Sequence, residues 1–243
     1  MPRKIKVVIS GLLLLLITAG ALEAATPEEA FKKHFPQIPL ESITPTAVDG
    51  LYEIVANGIV AYYAPGPGYL IRGEIITREG KNLTLERARV AEEQHAQVVA
   101  KRLKEIPLDK ALTIGSGPHQ VIEITDPDCG FCRKASAFLA KRGDLTRHVI
   151  FFPLAMHPNA EAKVRYIFCA ADRPAAYEEA MTGKLDSMAF KACEDPSVGA
   201  LIETHKEIAA RTGIRGTPLF LIDGQIVNGA DIPRMEMILD GRK

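Results

Sequence analysis

The chain has 243 residues, of which 47% are hydrophobic and 25% are charged. This composition is typical of a globular protein with one large domain or two small ones, and it excludes an intrinsically disordered chain. No apolar run reaches the roughly 18 residues of a membrane span, which excludes a polytopic membrane protein. Lysine plus arginine and aspartate plus glutamate balance at 30 each, and no basic stripe stands out, so we expect no nucleic-acid partner.

The first 21 residues have the features of a secretory signal peptide. Basic side chains near the start precede an apolar stretch over residues 7–22, and Ala19-Gly20-Ala21 supplies small residues for cleavage. An uncleaved anchor helix is the alternative, although the stretch is shorter than the about 20 residues that a span needs. We therefore predict that residues 1–21 are removed and that the chain is exported.

The chain contains four cysteines, which suits an exported protein because disulfides persist outside the cytosol. Four cysteines allow three pairings. Proximity favours pairing of Cys129 with Cys132, which leaves Cys169 to pair with Cys193. A disulfide between Cys169 and Cys193 would close a sizeable loop and stabilise the folded protein by about 3.5 kcal/mol. We expect the first pair to carry chemistry and the second to be structural.

After the leader, the pattern predicts a short helix and then a small antiparallel sheet. Thr26 is expected to cap a helix that ends near His34. Asn57-Gly58 is expected to form a hairpin turn. The predicted strands cover residues 52–55, 59–63 and 69–76. Because this region has few large apolar side chains and open strand edges, we predict that residues 25–82 form a domain that dimerises with a second copy.

The segment that follows has the period of an amphipathic helix, with apolar and small side chains every three or four residues over 84–105. Pro107 ends it. Such a helix of about 22 residues rises about 33 Å, so we predict that residues 83–107 form an arm connecting two domains. A helix packed flat on one domain is the alternative.

From residue 108 to 243 strands and helices alternate. The predicted elements are a strand at 121–125, a helix at 130–141, a strand at 148–153, a helical region at 158–212, strands at 219–222 and 225–228, and a last short helix that starts at Pro233. The two late strands flank Asp223-Gly224, a hairpin signal. This order predicts a mixed sheet with helices around it, within an α+β protein.

The segment that points to chemistry is Cys129-Gly130-Phe131-Cys132. It lies between a predicted strand and a predicted helix, which places Cys129 at the helix N-terminus. Backbone N–H groups and the helix dipole stabilise a thiolate there, so Cys129 is expected to have a lowered pKa and to attack disulfides. Cys132, one turn further in, is expected to resolve the mixed disulfide.

Half of a zinc site is the alternative interpretation of this C-x-x-C spacing. A zinc ribbon needs a second ligand pair, which Cys169 and Cys193 do not supply, and the six histidines are scattered along the chain. We therefore expect no metal site and no cofactor.

Three segments resemble the DsbC/DsbG-type periplasmic thiol:disulfide isomerases of the thioredoxin superfamily. They are residues 125–134 (TDPDCGFCRK), 168–172 (FCAAD) and 216–218 (GTP), in matching order and spacing. The resemblance covers essentially the whole mature chain. It implies a C-terminal thioredoxin fold with a helical insertion at about 155–212, joined by a long helix to a small N-terminal α+β dimerisation domain.

The resemblance also implies roles for individual residues. Thr217-Pro218 matches the loop whose cis peptide bond faces the active-site disulfide, although a trans turn is the default from the residues alone. This loop is expected to bind substrate together with Gly130 and Phe131. Cys169 and Cys193 match the second, structural disulfide of the family.

Two positions depart from the pattern of the best-known isomerases. Phe131 stands where the best-known isomerases have tyrosine, so a hydroxyl near the reactive sulfur is missing. Glu123 lies in the strand before the motif, where thioredoxin and the DsbA oxidases carry a buried acid. We predict that the Glu123 carboxyl has a raised pKa and accepts the proton of Cys132. A glutamate on an exposed face is the alternative.

Together these observations predict a periplasmic, homodimeric disulfide isomerase that acts on unfolded or misoxidised secreted proteins. The resemblance implies a membrane reductase of the DsbD type as its electron donor. A dithiol oxidase or client-specific reductase is a second hypothesis with the same fold. A third is a chaperone-like binding module in which the cysteines are secondary.

Overall fold

The computed structural model describes residues 25–241, and the predicted signal peptide at 1–21 lies outside this range. The helices are α1 (Pro27–His34), α2 (Leu83–Lys104), α3 (Gly130–Leu139), α4 (Ala160–Cys169), α5 (Arg173–Met181), α6 (Pro196–Thr212) and α7 (Ile232–Leu239). The strands are β1 (Leu40–Pro45), β2 (Tyr52–Ala56), β3 (Ile59–Ala64), β4 (Tyr69–Ile71), β5 (Leu112–Ile114), β6 (His119–Thr125), β7 (Leu145–Phe151), β8 (Leu219–Ile222) and β9 (Gln225–Asn228). Across the described range, no helix is both long enough and apolar enough to span a bilayer.

The N-terminal sheet has the strand order β1-β2-β3-β4, and each neighbouring pair is antiparallel. Asn57 and Gly58 have φ angles of 49° and 68°, as the predicted hairpin between β2 and β3 requires. Helix α1 begins at the predicted Thr26 capping box and packs on this sheet. Its Phe31 ring meets the Tyr63 ring edge-on at 5.1 Å, and both side chains are fully buried. These aromatic side chains form the centre of a small core.

Strand β1 is absent from the sequence prediction, and β4 is shorter than predicted. Strand β1 carries partly buried apolar side chains at Leu40 and Ile43, a spacing that does not alternate with period two. Strand β4 ends at Ile71, and the predicted extension to residue 76 contributes only an isolated bridge between Ile76 and Asn82. The short β4 is an edge strand of the sheet.

Helix α2 has nearly the predicted bounds, but it contacts both sheets. Thr84 and Ala91 are buried near its start, whereas Val99 and Leu103 belong to an apolar cluster that includes residues of β6, β7, β8 and α6. Helix α2 thus connects the two sheets as predicted, but its second half also packs its apolar side chains into the C-terminal core. Val98, one of the apolar side chains in the three- or four-residue repeat of this helix, is exposed.

The C-terminal sheet has the order β5-β7-β6-β8-β9, with β6 parallel to β7 and the other neighbours antiparallel. Helix α3 connects the two parallel strands, and α4, α5 and α6 are inserted between β7 and β8. Asp223 and Gly224 both have positive φ in the predicted hairpin between β8 and β9. The predicted α+β class with a helical insertion is confirmed. One face of this sheet carries α3 and α7, and the other carries α2 and α6.

Candidate active site

The two cysteines of the motif lie at the start of α3, directly after β6. Cys129 is the N-cap residue of the helix and Cys132 is in its first turn, and both are free thiols with buried side chains. The Sγ atom of Cys129 lies 3.6 Å from the carbonyl oxygen of Thr217. The Thr217–Pro218 peptide bond is cis, as the resemblance implied. The structure therefore brings the predicted nucleophile and the predicted substrate-binding loop together.

The Cys132 thiol is held in its protonated form. Burial raises the pKa of Cys132 to about 12, and the hydroxyls of Thr125 and Thr217 and the Asp126 backbone amide oppose this shift only in part. The Asp126 amide nitrogen lies 3.4 Å from Cys132 Sγ. Within the described part of the chain, neither threonine hydroxyl has another hydrogen-bond partner. Both hydroxyls are therefore available to donate to a Cys132 thiolate when one forms.

Glu123 is fully buried, so its placement on an exposed face is excluded. Its surroundings are polar, in contrast to the apolar setting that we expected. Arg147 Nη2 donates to Glu123 Oε2 at 2.7 Å, and the Tyr177 hydroxyl donates to Oε1 at 2.8 Å. Burial alone would lower the pKa of Arg147, but the combined effects of Glu123, Tyr177 and Glu178 outweigh burial and raise that pKa. The carboxylate is thus one half of a buried ion pair.

No hydrogen bond joins Glu123 to Cys132 within residues 25–241, so the role of Glu123 as proton acceptor stays a prediction. Arg147 also donates to Ser136 Oγ of α3 at 3.2 Å. The buried cluster therefore ties β6 and β7 to α3 and, through Tyr177, to α5. Sequence analysis did not find Arg147 or Tyr177, because their contacts with Glu123 are long-range.

Asp126 anchors the turn that carries the motif, and sequence analysis assigned it no role. Its carboxylate is fully buried. Asp128 N donates to Oδ1 at 2.7 Å and Leu154 N donates to Oδ2 at 2.7 Å, while His157 Nδ1 lies 2.9 Å from Oδ2. Its position directly after the end of a central strand is the signal that could have identified it, since side chains at such strand ends line functional sites.

The two middle residues of the motif face open space. Phe131 is 67% exposed, which is unusual for a phenylalanine, and a Cβ atom added to Gly130 would meet no atom within 4 Å. An apolar ring and open space lie beside the two thiols. This arrangement leaves room for another polypeptide to approach Cys129.

The remaining two cysteines form a disulfide within the helical insertion, as expected. Cys169 ends α4 and Cys193 lies before α6, and their Cα atoms are 6.3 Å apart. Cys193 packs against the apolar cluster that also contains Cys129 and Cys132.

The chain is similar in sequence to known thiol:disulfide interchange proteins. The model for the disulfide bond isomerase protein N-terminal domain matches residues 18–85, and the thioredoxin-like domain model matches residues 106–237. The probable thiol:disulfide interchange protein DsbC of Bordetella avium (strain 197N) is 26% identical over 196 residues, which cover 79% of this chain and 65% of that protein. The thiol:disulfide interchange protein DsbC of Escherichia coli (strain K12) is 25% identical over 242 residues, 94% of each chain. The crystal structure of a disulfide interchange protein from Neisseria gonorrhoeae is 26% identical, with a TM-score of 0.48, and the match covers 56% of this chain and 98% of that one.

Proposed function

The chain belongs to the thioredoxin-like family and is of the DsbC thiol:disulfide interchange type, and from this premise we propose that it isomerises non-native disulfides in exported proteins. The observation that carries the proposal is the contrast between its two thiols. Cys129 stands at the N-terminus of α3 against the Thr217 carbonyl, whereas complete burial one turn further in raises the pKa of Cys132 to about 12.

Isomerisation needs two exchange steps at Cys129. The Cys129 thiolate attacks one sulfur of a substrate disulfide, a mixed disulfide forms, and the second substrate sulfur leaves as a thiolate. A substrate thiolate then attacks the substrate sulfur of the mixed disulfide, and Cys129 leaves as a thiolate. One disulfide replaces another at each step, so the substrate is rearranged without net oxidation or reduction.

The properties of Cys132 favour this route. At neutral pH Cys132 keeps its proton, so its attack on the sulfur of Cys129 is slow and a substrate thiolate has time to act first. When Cys132 does attack, the substrate leaves reduced and the Cys129–Cys132 pair is oxidised. The proposal therefore includes a membrane reductase of the DsbD type, which supplies two electrons to restore the dithiol.

The protein is further proposed to act in the periplasm as a homodimer. The predicted leader and the Cys169–Cys193 disulfide suit an oxidising compartment outside the cytosol. Strand β4 lies at the edge of the N-terminal sheet, where Tyr69 and Ile71 are 64% and 43% exposed. An unpaired edge with apolar side chains suits pairing with the same edge of a second copy.

Recovery of ribonuclease activity from scrambled, fully oxidised ribonuclease tests the proposal. The reduced protein should restore activity catalytically, and Cys129→Ser should not. Thiol trapping of Cys129 and Cys132 in cells separates the alternatives, because a mostly oxidised pair indicates an oxidase. Suppression of aggregation by a variant with alanine at both positions, without recovery of ribonuclease by the wild type, would instead indicate a binding module.

A further inference from the structure

Four charged side chains form a closed ring beside the motif, here called the motif ring. Asp128 directly precedes the motif and Arg133 directly follows it, whereas Lys163 comes from α4 and Asp186 from a short helical turn after α5. Arg133 donates to both Asp186 oxygens, at 2.6 and 2.9 Å, and to Asp128 Oδ1 at 3.2 Å. The Lys163 ammonium donates to Asp128 Oδ1 and to Asp186 Oδ1. Two cations thus face two carboxylates.

The motif ring is built into the fold. The Lys163 side chain is only 3% exposed, and an ammonium so removed from water needs charged partners. Arg133 Nε also donates to the Pro127 carbonyl at 2.7 Å, which ties the ring to the turn before the motif. Gly183 has φ of 79°, and a Cβ atom there would lie 3.2 Å from Arg133 Nη1. The turn that delivers Asp186 therefore passes against the Arg133 guanidinium.

Within the ring, Arg133 and Asp186 keep each other ionised. Hydrogen bonds from Arg133 and then from Lys163 lower the pKa of the Asp186 carboxyl to about 2. The same Asp186 raises the pKa of Arg133. At neutral pH the four side chains carry a net charge of zero.

We propose that Lys163 is a positioning residue that supports the reactivity of Cys129 by neutralising Asp128. Asp128 directly precedes Cys129 in the chain, and a carboxylate near a thiol disfavours the thiolate because two like charges repel. With Lys163 and Arg133 in contact with Asp128, this carboxylate opposes the positive end of α3 less strongly at the sulfur. The buried Asp126 carboxylate, which contacts His157, also lies in this turn and is left unchanged by the variants below. This inference rests on the proposed function, in which Cys129 is the attacking sulfur.

Removing charges of opposite sign from the ring tests this inference. Lys163→Met leaves one excess negative charge, and Asp186→Asn leaves one excess positive charge. The readout is the pH profile of alkylation of Cys129 by iodoacetamide in the reduced full-length protein, with the modified residue identified by mass spectrometry. A purely structural role would loosen the turn in both variants and shift both profiles in the same direction.

We expect Lys163→Met to raise the midpoint of the profile by about one pH unit, which is about tenfold less thiolate at a given pH below the midpoint. Asp186→Asn should lower the midpoint by a smaller amount, about twofold in thiolate, because this side chain is 45% exposed and water screens it. Asp144→Asn is the matched control. Asp144 pairs with Arg142 at 2.7 Å beyond the C-terminal end of α3, so this substitution also removes one carboxylate from an ion pair, but far from Cys129 along the helix. Its profile should match the wild type.

Shifts in the same direction for Lys163→Met and Asp186→Asn, or shifts no larger than that of Asp144→Asn, overturn the inference. If circular dichroism shows that Lys163→Met does not fold, the test rests on Asp186→Asn alone. An unchanged or raised midpoint of Cys129 alkylation in Asp186→Asn then overturns the inference. The readout is the thiol itself and not ribonuclease recovery. A wild-type protein that fails to isomerise therefore contradicts the proposed function and leaves this measurement intact.

Discussion

The sulfur of Cys129 lies 3.6 Å from the carbonyl oxygen of Thr217, a residue 88 positions later in the chain. Thr217 precedes Pro218, which has no N–H, and this loop leads into β8. The Pro218 carbonyl accepts from Gly229 N at 2.9 Å, so Thr217 is the residue whose backbone would pair with an extended substrate. Under the proposed function, a substrate chain bound along the loop would present its disulfide to Cys129 and not to Cys132, which is fully buried. This relationship supports the different roles proposed for the two thiols.

Serine substitutions should separate these roles. Cys129→Ser should abolish isomerisation, because the thiolate at the start of α3 is lost. Cys132→Ser should leave the attack intact and remove one route of escape, so mixed disulfides with substrate should accumulate on non-reducing gels. Some isomerisation should survive in Cys132→Ser, since a substrate thiol also releases the enzyme. Trapping by Cys129→Ser and not by Cys132→Ser would reverse the assignment.

Replacement of Glu123 should be costly because it breaks a buried ion pair. Glu123→Gln leaves the Arg147 guanidinium without its closest counter-charge, and urea unfolding should show a loss of about 3 to 5 kcal/mol. If Glu123 also accepts the proton of Cys132, release of a mixed disulfide at neutral pH should slow by about tenfold or more.

Glu178→Gln is the matched control for this prediction. Glu178 Oε1 lies 3.8 Å from Arg147 Nη1, but its side chain is partly exposed. We expect a loss below about 1 kcal/mol and unchanged release. A stability loss for Glu123→Gln with normal release would assign Glu123 a structural role only.

The elements that sequence analysis predicted well are those specified by short-range signals. The Thr26 cap, the Asn57-Gly58 turn and the Asp223-Gly224 turn each act within a few residues, and the structure has all three. The position of Cys129 at a helix start was predictable in the same way, from a strand followed by C-x-x-C. Strand β5 was missed because it is three residues long and its pairing with β7 comes from distant sequence.

The polar surroundings of the site could not be predicted, because they depend on tertiary contacts. Arg147 and Tyr177 are 24 and 54 residues from Glu123, and Asp186 is 53 residues from Arg133. No spacing in a single sequence indicates such pairs. The counter-charge of Glu123 was missed for the same reason, because Arg147 lies on the neighbouring strand and not near Glu123 in the sequence.

The Cys169–Cys193 disulfide should stabilise the insertion without taking part in turnover. Serine at both positions should reduce the free energy of unfolding by about 2 to 5 kcal/mol and leave ribonuclease recovery unchanged well below the melting temperature. Urea unfolding and the recovery assay measure the two effects separately. Reduction of this disulfide at the same reductant concentration as the Cys129–Cys132 pair would show that the division into structural and catalytic pairs is wrong.

The edge of the N-terminal sheet should mediate dimerisation. Light scattering at micromolar concentration should give twice the mass of the mature chain. Ile71→Lys places a charge on β4 and should give the monomer mass, because a lysine on an edge strand opposes pairing. Met188→Lys is the control, since Met188 is 44% exposed against 43% for Ile71 and lies outside the small sheet. A dimer that persists in Ile71→Lys would place the interface elsewhere.

The raised pKa of Cys132 should be measurable in Cys129→Ser, where it is the one thiol left outside a disulfide. Burial raises the pKa of Cys132 from 9.0 to about 12, so at pH 8.5 the folded protein holds far less Cys132 thiolate than the unfolded chain does. Iodoacetamide should therefore modify Cys132 at least about 100-fold more slowly in the folded protein than in urea. The raised pKa of Cys132 also makes the stability of the protein depend on pH. Above pH 9.0 the unfolded chain loses a proton that the folded protein retains, so the free energy of unfolding should fall as pH rises from there towards about 12. Equal alkylation rates in the folded and unfolded states would show that Cys132 is neither shielded nor held protonated, and the argument for slow escape through Cys132 would then fail.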